Sequence, residues 1–408
     1  MRLDYNLLED GRKALFELSR IERFFHLFWL LGPFFLLIER TPGDAYISII
    51  ALAFVVRSLK TRDSNWLKFL WVRLTFVFWG ICILAASAST NVSYALGEAV
   101  IWIRFPLFAM ASAFWLGRDS RLLGLMLMST ALGLLLMCGI LVAELAIEGF
   151  KPRLSWPYRD LVPGNYLAKV GLPVIVFSTA LVLSCKGAKS LLIGAFCLLV
   201  IGTTLLTGER INFLILICAT LLTTFILVPS WKKRLRFTLV SVIISVSTLA
   251  LFPAIYKRYV IAFVADLPIH AESAYYQAMA PAWLIFKQFP VLGIGPGNFR
   301  YECQELTLPF NLGYPCHNHP HNFYIQILAE TGLLGLAGAV GFVGAILFQC
   351  FRAGAGEKHF LQTTAWIIPF ALFWPIKSNA DFFGQWNNIF LWSAVALALA
   401  VAHSKLRK

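Results

Sequence analysis

The sequence predicts an all-α polytopic membrane protein with about twelve transmembrane helices and one large outer loop. The first support is composition. Hydrophobic residues fill 59% of the 408 positions and charged residues only 14%, with a mean hydropathy of +0.73, whereas soluble domains carry about 25% charged residues. The second is spacing. Apolar runs fall at 24–39, 43–57, 67–89, 93–117, 121–147, 163–185, 188–207, 211–230, 235–253, 322–350, 360–378 and 386–403. Each lies near the ~20 residues that cross a bilayer, the second being short and the tenth long. The third is a one-sided distribution of Lys and Arg, developed below. Together they predict one transmembrane domain over 1–408, with 254–321 as its loop.

Ahead of the first span, Leu7, Leu8, Leu15, Phe16, Leu18 and Ile21 alternate with Arg12, Lys13, Arg20 and Arg23. This is either an interfacial amphipathic helix or a plain tail. No cleavable signal peptide is expected, because charge runs throughout this stretch. With the N-terminus inside, the inner connections hold Arg57, Lys60, Arg62, Lys68 and Arg73, then Arg118 and Arg121, then Lys186 and Lys189. They also hold Lys232, Lys233, Arg234 and Arg236, then Arg352 and Lys358, and finally Lys405, Arg407 and Lys408. That bias follows the positive-inside rule and predicts cytoplasmic termini with an outward-facing 254–321 loop. It also accounts for most of the +14 net charge, so no nucleic-acid partner is expected.

The loop opens with Lys257-Arg258. Over Glu272–Gln288, Ala274, Ala278, Ala282, Ile285 and Phe286 recur at helical spacing, which predicts an amphipathic helix on the membrane or packed over the bundle. Gly293, Gly295 and Gly297 then alternate, as either a cradle of N–H groups for an anion or a plain turn. Cys303 and Cys316 are either a disulfide or two free thiols. His317, His319 and His321 also alternate, but no Cys or carboxylate completes a metal set nearby, and no metal is expected. Asn322 can cap the next helix. Gly332 and Gly335 suggest a close helix–helix contact. Lys151, Arg153, Arg159 and Lys169 form a basic outer rim around the start of the sixth span, with a solvated loop as the simpler account. Asp381 could orient His321 or pair with Lys377. His321 itself is either a helix-end structural residue or a titratable group in use.

His321-Asn322 is followed, after nine residues, by Gly332-Leu333-Leu334-Gly335. With Gly293–Phe299 and Pro320–Gly332, this pattern resembles the O-antigen ligases, within the wider ligase and polymerase superfamily. Gly208-Glu209-Arg210, at the outer end of the eighth span, is similar to a Ser-Arg that the family carries there. One departure stands out. The Arg often found about fifteen residues before the Pro-x-x-Gly-x-Gly segment is Tyr275 here. Its role passes to Arg258, Lys257 or Arg300, or is absent.

The resemblance implies a GT-C-like, inverting glycosyltransferase of the bacterial inner membrane with a periplasmic active site. It would move a glycan from undecaprenyl diphosphate to a sugar hydroxyl of the lipid A–core oligosaccharide, without cofactor or metal. His321 would be the general base and Arg210 the cation that stabilises the leaving diphosphate. Arg258, Arg300, Lys257, Asn322, Gly295, Gly297, Arg153 and Arg159 are the expected substrate-binding residues. Its partners would be the lipid-linked glycan, lipid A–core and membrane lipids, with the protein a monomer. Three rivals remain: an O-antigen polymerase, a protein O-oligosaccharyltransferase and a transporter. Protein-glycosylating relatives usually carry a soluble C-terminal domain, for which little sequence remains after the last span. A transporter would favour pseudo-symmetric halves or several intramembrane carboxylates, and Glu98 and Glu144 are the main ones here.

Overall fold

The computed structural model of the chain describes residues 7–149, 151, 153–158, 162–251, 253–355 and 359–406. Arg159, an expected substrate-binding residue, lies outside them, as do Lys358, Arg407 and Lys408. Helix α1 (Leu7–Glu17) packs Ala14 against Leu122 and Leu125 while leaving Leu8 and Phe16 exposed. It is the amphipathic helix of the two readings open for that stretch. There follow α2 (Arg20–Ile38), α3 (Arg40–Thr61), α4 (Leu70–Ser87), α5 (Val92–Leu116), α6 (Ser120–Glu148), α7 (Pro163–Ser184), α8 (Ala188–Leu206) and α9 (Arg210–Leu227). After them come α10 (Trp231–Leu251), α11 (Ala274–Gln288), α12 (Phe299–Thr307), α13 (Phe323–Gly354), α14 (Phe360–Leu372) and α15 (Gln385–His403).

Among the described residues, ten of these helices are long and apolar enough to cross a membrane: α2 to α9, α13 and α15. The other two expected spans correspond to α10, whose first turns are basic, and to α14, which is short. Both nevertheless run the length of the bundle. α9 begins at Arg210 and ends at Leu227, and α10 must bring the chain back, because Tyr259 hydrogen-bonds Leu205 O (2.7 Å) beside the start of α9. Twenty-one helical residues rise about 31 Å, enough for that return. Likewise, Gly354 at the end of α13 lies against Gln362, while Asn322 at its start hydrogen-bonds Pro375 O (2.7 Å). The chain therefore passes about twelve times between the two ends of the bundle.

α15 is the central helix. Its alternating Ala394, Ala396, Ala398, Ala400 and Ala402 are buried, and such small side chains let neighbouring backbones approach closely where lipid supplies no hydrophobic drive. Around it, Trp102, Phe342, Phe382 and Trp392 form a packed aromatic cluster. Glu144, fully buried at the end of α6, accepts the N–H groups of Ser155 and Trp156 (both 2.8 Å) and so fixes the loop that carries Arg153.

The outer loop packs over the bundle. Ser273 caps α11 by accepting the N–H of Tyr276 (3.2 Å), and Ala278, Ala282 and Ile285 face inward. Ala282 and Ile285 join Ile294, Phe299, Cys303 and Ala329 in a small second core. Cys303 and Cys316 form a disulfide that ties α12 to the histidine segment.

Gly332 does not make the helix–helix contact expected of it. At φ 64° and ψ −165° it breaks α13 in a conformation nearly reserved for glycine. A Cβ there would lie 2.1 Å from Val291 O. The break frees backbone groups that the 290–295 turn takes up: Leu333 N–H donates to Pro290 O (2.9 Å) and Gly295 N–H to Glu330 O (2.8 Å). Gly335, also expected at a helix contact, makes room for the side chain of Thr331 on its own helix.

Candidate active site

His321 is presented by backbone on both sides. Its φ of 55° is left-handed, and its carbonyl accepts the N–H of Asn379 at 2.7 Å. The next residue, Asn322, accepts the N–H groups of Tyr324 (3.0 Å) and Ile325 (3.2 Å), while its amide donates to Pro375 O and Lys377 O. Asn322 is thus consumed as a helix cap and clamp, not left for substrate as expected. The imidazole of His321 lies against the backbone of Asn379, a contact that favours its protonated form, and takes no side-chain hydrogen bond among the described residues. The rings of His319, His317 and Tyr275 stand 4.3, 5.8 and 6.3 Å from it. Burial, then the neighbouring imidazoles, push its pKa down to about 4, so the ring is neutral at physiological pH with a free lone pair.

His321 faces a cavity of about 360 Å³ that also takes Arg153, Lys169, Arg210, Arg258, His319 and Tyr275 into its walls. Arg210, only 8% exposed, stands at the start of α9 and donates Nη2 to Asp266 Oδ2 (2.5 Å). Its Nη1 is buried with no partner. Arg258 donates Nε to Gly208 O (3.1 Å), and its terminal nitrogens have no protein partner among the described residues. Arg153 lies 4.0 Å from Glu209. Buried His319 Nε2 is also unpartnered, and burial lowers the pKa of that ring. Buried cations and imidazoles with unused donors make a site suited to an anion beside a base.

Several expected site residues are elsewhere. Arg300 forms an ion pair with Asp381 and does not line the cavity. Asp381 consequently neither orients His321 nor pairs with Lys377; it also accepts from Gln326 Nε2 (2.6 Å) and Phe383 N (3.0 Å). Gly295 and Gly297 do lie in a turn with inward N–H groups, but these are already taken: Gly295 N–H by the backbone carbonyl of Glu330 (2.8 Å), and Gly297 N–H by the buried side chain of Glu330, which also accepts Phe299 N–H (3.2 Å). Lys257 is exposed and outside the cavity. Lys169, expected in a solvated rim, is 3% exposed inside it. Among the described residues, no three His, Cys, Asp or Glu side chains converge as a metal site.

Residues not singled out in the sequence complete the walls: Ser378, Asn379, Trp386 and Asn387 on one side, Asn165 and Asn212 on the other. Their signal was legible as a polar run over 377–388 in an otherwise apolar region. Tyr275 does reach the cavity.

Residues 195–340 match the family model described as O-antigen ligase. Over that segment, about a third of its length, the chain is similar to the O-antigen ligase family. With ten helices long and apolar enough to cross a membrane among the described residues, the chain is a multi-pass membrane protein, and its matched segment is similar to a family of ligase-type glycosyltransferases. The matched segment contains Arg210, Arg258, Tyr275 and His321 but neither Lys169 nor Asn379 and Asn387. A solved chain described under "Structural coordination of polymerization and crosslinking by a peptidoglycan synthase complex" is 18% identical, with a TM-score of 0.49, covering 83% of this chain and 98% of that one. No curated protein matches the sequence.

Proposed function

We propose that this O-antigen ligase homologue transfers a glycan from undecaprenyl diphosphate to a sugar hydroxyl of lipid A–core, with inversion at the anomeric carbon. One observation carries the reading: the unpartnered Nη1 of buried Arg210 and the imidazole of His321 share one cavity. In the reaction, the imidazole lone pair takes the acceptor O–H proton as the oxygen attacks C1. The C1–O bond to phosphate breaks, and its electron pair leaves on the diphosphate. Arg210 and Arg258 meet the growing charge with guanidinium N–H groups, which fork onto phosphate oxygens. Loss of one such donor typically costs about 3–4 kcal/mol.

A free imidazole with a pKa near 4 is a weak base. A bound diphosphate beside it raises that value, since a nearby negative charge favours the imidazolium. The base thus strengthens when the donor is present. Arginines acting on the diphosphate make a metal unnecessary, and Arg153 at the rim would attract acceptor phosphates.

The positive-inside bias supports an inner-membrane chain with cytoplasmic termini and a periplasmic 254–321 loop on a single transmembrane domain. The convergence of Arg153, Arg210, Arg258 and His321, all assigned to the outer side, supports the same topology. The test combines purified protein, lipid-linked glycan and rough lipopolysaccharide, with and without chelator, for wild type, His321→Ala and Arg210→Ala. We expect transfer by wild type in either condition and none by the variants. Full transfer by His321→Ala removes the general-base role, loss on chelation removes metal independence, and chain extension in place of ligation turns the assignment to polymerase.

A further inference from the structure

Lys169 is the cavity residue whose placement is hardest to explain structurally. It sits within a membrane-crossing helix, in the π-turn Tyr166–Val170 of α7, a distortion frequent at functional sites. Its ammonium has three N–H donors, and one goes to Asn387 Oδ1. Asn387 is itself held by its amide donating to Asp381 O (3.2 Å), which aims the acceptor at the lysine. No carboxylate lies within ion-pair distance of Lys169 among the described residues, and the nearest acid it feels is Glu209. Lys377, also buried, whose ammonium makes no hydrogen bond or ion pair among the described residues, stands within electrostatic range and adds like charge. An ammonium buried this way is costly unless something else meets its charge.

The remaining cavity charges show what is missing. Asp266 neutralises Arg210, and Glu209 lies beside Arg153. Among the described residues, Arg258 and Lys169 are left without a carboxylate within ion-pair distance. A diphosphate esterified at both ends carries two negative charges, one for each.

We propose that Lys169 is a further cation of the diphosphate site, gripping the lipid-linked diphosphate from the α7 side while Arg210 and Arg258 hold it from α9 and the outer loop. This rests on the reading of the cavity as a lipid-diphosphate site. An anionic group on the acceptor sugar would suit the same ammonium, so the experiment separates the two sources.

Binding of farnesyl diphosphate and farnesyl monophosphate to the purified full chain is measured by calorimetry for wild type, Lys169→Met, Lys169→Gln and Arg210→Ala. Melting temperatures and the KM of each transfer substrate are recorded alongside. Lys169→Met and Lys169→Gln are expected to weaken diphosphate binding by about 10-fold or more, as for loss of a charged hydrogen bond. They should also reduce the preference for diphosphate over monophosphate and raise the donor KM, with the acceptor KM unchanged. Diphosphate binding within twofold of wild type overturns the proposal, and so does a rise confined to the acceptor KM, which assigns the ammonium to the acceptor. Failure of both variants to fold overturns it in favour of a structural lysine. If Arg210→Ala loses binding while the Lys169 variants keep it, the inference falls and the cavity assignment stands. If wild type itself binds no farnesyl diphosphate, the cavity assignment falls.

Discussion

Two polar clusters flank the first turns of α13, and they differ in how completely they are paired. On one side, Arg300, Asp381, Gln326, Glu330 and the 295–299 turn satisfy one another. Gln326 Oε1 accepts Phe382 N–H (2.8 Å), its amide reaches both Asp381 and Glu330, and only Asn298 Oδ1 is left over. On the other, the cavity keeps Arg210 Nη1 and His319 Nε2 unpartnered beside the His321 imidazole. Both clusters draw on glycines, arginines and carboxylates, so residue type does not separate them. A saturated cluster holds a fold rigid, whereas buried groups with unused donors are set up for a ligand.

The largest effect that would break this contrast is at His321. Its left-handed φ makes His321→Asn the cleaner probe, since Asn tolerates that conformation. A fall in kcat/KM of roughly 10²–10⁴ with little change in Tm is expected. Next, Arg210→Ala should lower kcat by about 10²–10³; a variant with wild-type turnover would move the leaving-group role elsewhere. Of comparable size but in stability, Gly332→Ala should cost about 3 kcal/mol from strain and the Val291 clash, read from Tm.

Smaller, Asp381→Asn should lower stability by about 1–3 kcal/mol while the folded fraction keeps its kcat/KM. Lost turnover at unchanged Tm would merge the two clusters into one site. The mildest test is pH. The folded pKa of His321, about 4, lies below its ordinary value of 6.5, so the unfolded chain binds more protons between them. Stability should therefore fall as pH drops from 6.5 to about 4, and His321→Asn should flatten that slope. The acid limb of kcat/KM should lie near pH 4, with the limb of kcat higher because the bound donor raises the imidazole.

Much of this was legible in the chain. Long apolar runs have one solution in lipid, because backbone groups there must be satisfied within each helix. The helices therefore follow from composition, down to the Asn322 cap. His321 and Arg210 were legible through the motif. Arg300, Gly295 and Gly297 were misread because a sequence shows a donor without showing its acceptor: Asp381 and Glu330 lie 81 and 33 or more residues away in sequence. Lys169 was misread in the opposite sense, since its nearness to a span end suggested solvent while packing by α15 buried it.

Sequence by itself determined that this chain is a multi-pass membrane protein, and its charge bias set the expectation that His321 and Arg210 fall on the same side. Those are consequences of transfer free energy, summed locally along the chain. Only the tertiary structure decided which cations keep unpaired donors, because pairing depends on groups brought together from distant helices. It placed Arg300 in the scaffold, Lys169 in the cavity and Tyr275 beside the imidazole, where desolvation and neighbouring charge set the chemistry.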